Sequence, residues 1–138
     1  MDVPAPGDPD APLAVDEEPA RWLGRLFGFG TSLLEEVRHH PDSARPDAAR
    51  VQLWPEHFDA AVDVTGAHGG TVTLGLSPGD AAIPEAYLYV LPHDAAVEGD
   101  RFWNADAFPG ALVPVSEVGS DRAAARDFLL AGVAHGAP

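Results

Sequence analysis

HFDAAVDVTGAHGGTVTLGL, residues 57–76, decides the fold. In its first half His57, Asp59, Ala61 and Asp63 fall on one side of an extended chain, and Phe58, Ala60, Val62 and Val64 on the other. Period two marks a half-buried strand. Gly66 to Gly70 supplies a turn, and Thr71 to Leu76 alternates again with Val72, Leu74 and Leu76 inward. So short a connection joins strands that run in opposite directions, so the stretch reads as an antiparallel β-hairpin.

Upstream of the hairpin, Val51 to Trp54 reads as a short strand halted at Pro55. Before it, residues 17–39 read as a helix. Asp16 is its N-cap, Glu17 and Glu18 suit the positive end, and Pro19 is tolerated in the first turn. Trp22, Leu26, Phe29, Leu33 and Val37 recur at helical spacing, and Pro41 stops the run. Gly24, Gly28 and Gly30 each cost the helix about 1 kcal/mol against alanine. The expected compensation is close backbone packing on a sheet or another helix, against a ligand contact or a bend or break in the helix. Residues 41–49 read as a polar loop.

Downstream, Ala86 to Leu91 is apolar on both faces and reads as a central strand. A loop carrying Phe102, Trp103 and Asn104 follows, then a short strand near Leu112 to Val115, interrupted by Pro114. Ser120-Asp121 caps a last helix over roughly 121–131, with Phe128 and Leu129 inward and Gly132 as its stop. The order helix, strands, helix has no βαβ alternation. It implies an α+β fold, a small mainly antiparallel sheet flanked by an N-terminal and a C-terminal helix. Residues 1–15 read as an acidic, proline-rich tail, 16–133 as one domain and 134–138 as a second tail.

Composition narrows the function classes. The chain has 138 residues, of which 46% are hydrophobic, enough for a core. Eight basic residues, all arginine, stand against 22 acidic ones, a net charge of −14. That field repels phosphate backbones and anionic lipid, so neither nucleic acid nor membrane is expected as a partner. The absence of cysteine removes disulfides and thiolate chemistry. The acidic start lacks a basic n-region and an apolar h-region, so no signal peptide is expected and the cytoplasm is the default. No nucleotide or zinc-protease motif occurs, and no cofactor is expected.

Gly75-Leu-Ser-Pro-Gly79 spells G-x-S-x-G, the pattern of a hydrolase nucleophile elbow. An elbow draws an oxyanion-hole N–H from the residue after the serine. Here that residue is Pro78, which has none. Ser-Pro-Gly-Asp therefore reads as a turn.

Two clusters remain as candidate sites. His57 and Asp59, two apart on one strand face, lie about 7 Å apart at Cα. They form a candidate pair for a shared ligand, or for a metal with Asp63, Asp80 or Glu85, against the simpler reading of a solvated sheet face. Trp54, Tyr87 and Trp103 with Asp59 and Glu85 form a candidate aromatic, acidic pocket for a cation or sugar, bordered by Asn104. Against it stands the simpler reading of tryptophans packed at corners.

VQLWPEHFDAAVDV, SPGDAAIPEAYLYV and FWNADAFPGALVPVSEV, with DPDAPLAVD at residues 8–16, carry a resemblance. The sequence resembles a small bacterial family of unknown function, typical of high-GC genomes, over roughly residues 8–133. Members of that family are longer, with a β-rich half ahead of this region. The resemblance implies that the chain corresponds to a C-terminal part or is a shortened relative, with an exposed sheet edge that favours homodimerisation or aggregation. The expected function is a non-enzymatic binding or protein-interaction module. The alternative is a small-ligand protein or enzyme built around His57, Asp59, Asp80 and Glu85.

Overall fold

The computed structural model describes residues 8, 10–12, 14–41, 49–93, 101–119 and 121–136. The tail read over 1–15 and the loop read over 41–49 lie mostly outside these residues, as do Ser120 and the last two residues of the second tail.

Helix α1 spans Glu17–Arg38, and the side chain of Asp16 accepts from the N–H of Glu18 at its start. Strands β1 (Gln52–Trp54), β2 (Asp59–Thr65), β3 (Thr71–Ser77), β4 (Tyr87–Pro92) and β5 (Ala111–Pro114) follow. They form one sheet in the order β1-β2-β3-β4-β5, and every neighbouring pair is antiparallel. A short helix α2 (Val115–Val118) and helix α3 (Arg122–His135) complete the chain. The fold is the α+β arrangement that the patterning implies.

Register puts the apolar residues on one face. Ala60 stands opposite Leu76, Leu76 opposite Leu88, and Leu88 opposite Val113. Val62, Val64, Val72, Leu74 and Val90 join them, each at most 2% exposed. Helix α1 contributes Leu26, Leu33, Leu34 and Val37 to this core, and α3 contributes Ala125, Leu129 and Val133. Glu36 ties the helices together by accepting from Arg122 Nε at 2.8 Å.

Four expectations are corrected. Of the three helix glycines, Gly30 alone is set against the sheet, where a Cβ would lie 3.1 Å from Leu76, whereas a Cβ at Gly24 or Gly28 would meet nothing within 4 Å. Gly132 does not stop α3. It is buried inside the helix because a Cβ there would lie 2.5 Å from Val90, and Gly136 caps the end instead. Strand β2 begins at Asp59, so His57 belongs to the preceding turn. And β4 is not apolar on both faces, because Tyr87 and Tyr89 project from the side opposite Leu88 and Val90.

Both sheet edges are short. β1 has three residues. On β5, the Asn104 side chain receives the N–H of Leu112 at 2.9 Å and donates to its carbonyl at 3.0 Å. That amide takes the place of a further strand, which is one way natural sheets blunt an edge.

Candidate functional site

The second face of the sheet carries Asp59, Ala61 and Asp63 from β2, Thr73, Gly75 and Ser77 from β3, and Tyr87, Tyr89 and Leu91 from β4. Among the described residues no helix packs on it. Alternation explains this: each strand that buries valine and leucine under the helices must present its other residues here.

Gly75 shapes the middle of this face. A Cβ there would lie 2.2 Å from Tyr89 Cζ. With no side chain at Gly75, the Tyr89 ring lies flat across the sheet toward β2. Its hydroxyl donates a hydrogen bond to Asp59 Oδ2. Asp59 is 7% exposed, and its Oδ1 is buried with no hydrogen-bond partner.

Around this pair lies a hollow of about 360 Å³, lined by Glu56, His57, Asp59, Ser77, Asp80, Tyr87, Tyr89, Leu91 and Phe108. A second hollow of about 210 Å³ shares His57, Asp59 and Tyr89, and extends to Trp54, Asp63, Thr73 and His93. There Thr73 Oγ1 donates to Asp63 at 2.6 Å and lies 2.8 Å from His93 Nε2. With the Thr73 proton spent on Asp63, the contact with His93 is made by Nε2–H donating.

Loops set the rim. Pro55 to Phe58 connect β1 to β2, with the His57 N–H donating to the Trp54 carbonyl at 3.3 Å. Phe58 then takes φ 53°, the left-handed region that glycine or asparagine usually fills in such a hairpin. The strain costs about 1–2 kcal/mol. It is partly offset by an edge-to-face contact with Phe27, ring centroids 5.4 Å apart. Its consequence is to hold Glu56 and His57 at the mouth. On the other rim, Asp80 Oδ1 accepts from the N–H groups of Ala82 and Ile83 at 2.7 and 2.9 Å. Those bonds, Ile83 first, hold its carboxyl below the usual aspartate range.

Of the candidate residues, His57, Asp59, Asp80 and Tyr87 line one hollow, and Trp54 lines the adjoining one. The other three are engaged elsewhere. Glu85 accepts from Ser116 Oγ at 2.7 Å. Trp103 packs edge-on to Phe102, 5.0 Å away, against the helix-side core. Asn104 covers β5. Ser77 ends β3 and opens a turn: its Oγ accepts from the Gly79 N–H at 3.1 Å, Gly79 has φ 103°, and β3 runs into a loop rather than a helix. Among the described residues, no three His, Asp or Glu side chains are grouped to hold a metal ion, and no helix is long and apolar enough to cross a membrane.

Sequence reasoning missed Tyr89, Phe108 and Glu56. The signal for Tyr89 was present: a glycine inside a strand often marks a close approach by a neighbour. Its partner depends on register, which the sequence does not print.

Both tyrosines of the chain line this hollow. Burial, followed for Tyr89 by the hydrogen bond to the Asp59 carboxylate, raises both above the ordinary 10.0. For an acid with a raised folded value, stability is intact below the unfolded value and falls as pH climbs past it. We expect unfolding free energy to drop above pH 10.0 by up to about 1.4 kcal/mol per pH unit per tyrosine. Phenolate absorbance should stay low in the native protein there and rise on adding urea. Native phenolate already present near pH 10.0 would show that the rings are not buried.

No family model, curated protein or solved structure matches this chain. The reading of the site therefore rests on its own geometry.

Proposed function

We propose that this protein is a non-enzymatic binding module that takes its ligand on the helix-free face of the sheet, in the hollow over Asp59, Tyr87 and Tyr89. The observation that carries the reading is Asp59 Oδ1, buried without a donor beside that hollow. An unpaired buried acceptor costs about 1–3 kcal/mol, and more when charged. A bound donor removes that cost. The volume of the hollow, about 360 Å³, fits the lower end of small-molecule sites, which begin at about 300 Å³.

The convergence of His57, Asp59 and Asp80 in one hollow also favours a second reading, a small-ligand enzyme. Ser77 adds nothing to it, since Pro78 supplies no oxyanion donor.

The test is an NMR screen of the labelled chain against a fragment collection of mixed charge. We expect shifts clustered on Asp59–Asp63, Thr73–Ser77 and Tyr87–Leu91. Shifts confined to the helices, or none from any fragment, would refute the module. Turnover of a bound fragment would favour the enzyme.

A further inference from the structure

Resting on that reading, we infer that the ligand of the Asp59 hollow is a small organic cation carrying N–H donors, a primary alkylammonium. The argument is a count of protons. Tyr89 gives its hydroxyl proton to Asp59 Oδ2. Tyr87 gives its own to Asp80 Oδ2 at 3.2 Å. Ser77 Oγ accepts from the Gly79 N–H at 3.1 Å. Both tyrosine hydroxyl protons are thus engaged within the wall. What remains on offer is mainly acceptor: Asp59 Oδ1, lone pairs on Tyr89 Oη, and the carboxylates of Asp80 and Glu56 at the rim. His57, in the mouth, and the Ser77 hydroxyl are the remaining side chains of this lining able to donate.

A wall with both tyrosine donors spent and carboxylates at its rim disfavours ligands that need donors. Phosphates, carboxylates and sulfates would meet carboxylates and lone pairs in a chain of net charge −14. A primary amide brings two donors, but it also brings a carbonyl acceptor to a wall poor in donors, and no charge to offset the carboxylate. An alkylammonium brings three donors and no acceptor, and its charge offsets the buried carboxylate. It also suits the aromatic walls. The Tyr87 and Tyr89 rings lie 6.1 Å apart, and Phe108 stands edge-on to Tyr89 at 6.1 Å. Ring faces attract a cation and cover its alkyl chain. A single free carboxylate oxygen suits a point donor better than a planar fork, which pairs with both oxygens at once.

The experiment is an NMR titration of the unaltered chain with four compounds of one chain length: butylammonium, butyltrimethylammonium, butyramide and butyrate. We expect butylammonium to move the Asp59, Tyr87 and Tyr89 signals, with a Kd at least about tenfold lower than butyramide, equivalent to about 1.4 kcal/mol. Butyrate should move none of them. In Asp59→Asn, butylammonium binding should weaken at least tenfold. The four-compound comparison needs no variant, so it stands if Asp59→Asn does not fold. Butyramide or butyrate binding as tightly at the same residues would overturn the cation and leave the module intact. Equal binding of butyltrimethylammonium, which has no N–H, would overturn the donor argument. Silence from all four refutes the cation, and the fragment screen then decides the module separately. A blocked lysine tripeptide distinguishes the source. Binding tighter than butylammonium places the ammonium on a protein chain, and weaker binding places it on a small molecule.

Discussion

Gly75→Val is expected to destabilise the protein by about 2 kcal/mol or more and to dismantle the Asp59 site together. The valine Cβ would stand 2.2 Å from Tyr89 Cζ and 2.4 Å from its hydroxyl oxygen. No real contact is that close, so the ring must leave. Because the atoms struck are the far end of a side chain, the sheet survives while the ring swings out. Asp59 then loses its donor and keeps two buried oxygens without a partner. That term is about 1–3 kcal/mol or more for a charged group. The gain in strand propensity from glycine to valine opposes it by about 1 kcal/mol at most. Desolvation therefore wins. Urea unfolding gives the free energy, and phenolate absorbance follows the ring. In the variant one tyrosine should titrate near its ordinary 10.0 while the protein is still folded. Unchanged stability with unchanged tyrosine titration would mean that Tyr89 does not lie over Gly75.

The second large effect separates glycines that share one type of element. At Gly132, inside α3, a Cβ would meet both methyl groups of Val90 at 2.5 and 2.6 Å, and its Cβ at 3.1 Å. Val90 is fully buried between β3 and β5 and has no free end to turn aside. Gly132→Val should push α3 off the sheet and cost about 2–3 kcal/mol. Gly28, exposed in the middle of α1, has nothing within 4 Å. There Gly28→Ala should stabilise by about 1 kcal/mol, the difference in helix propensity with no packing term against it. Chemical denaturation of the two variants checks both signs. Two changes of the same sign would show that helix propensity alone governs these positions.

Those glycines also show where local reading stops. A glycine in a helical pattern carries a propensity cost that can be read from the chain. Whether a neighbour collects the space depends on which face the helix turns to the sheet. Three glycines of α1 looked alike in sequence, yet only at Gly30 would a Cβ press on Leu76. Gly132 read as a stop because it follows a helical run, and burial against Val90 explains it instead. His57 read as a strand residue because alternation runs unbroken through it. Phe58, with its positive φ, breaks the strand there, and hydropathy alone carries no mark of that.

The site divides in the same way. Asp59 and Tyr87 were legible as polar and aromatic residues on an alternating strand. Glu85, Trp103 and Asn104 were candidates on the same grounds, and the fold spends them on Ser116, on Phe102 and on the β5 edge. Residue type alone could not sort the two groups.

The sequence by itself determined the antiparallel hairpin, the two capped helices, the α+β class and the apolar faces of β2 and β3. All of these follow from periods of two and 3.6 residues and from end signals that act within a few residues. Only the tertiary structure decided that Tyr89 crosses Gly75 to reach Asp59, a partner 30 residues away in the chain. That contact depends on the register of three strands, Asp59 and Ala61 on β2, Gly75 on β3 and Tyr89 on β4. Register is settled by the whole sheet packing under two helices, where a slip of one residue would turn every buried valine and leucine out to water.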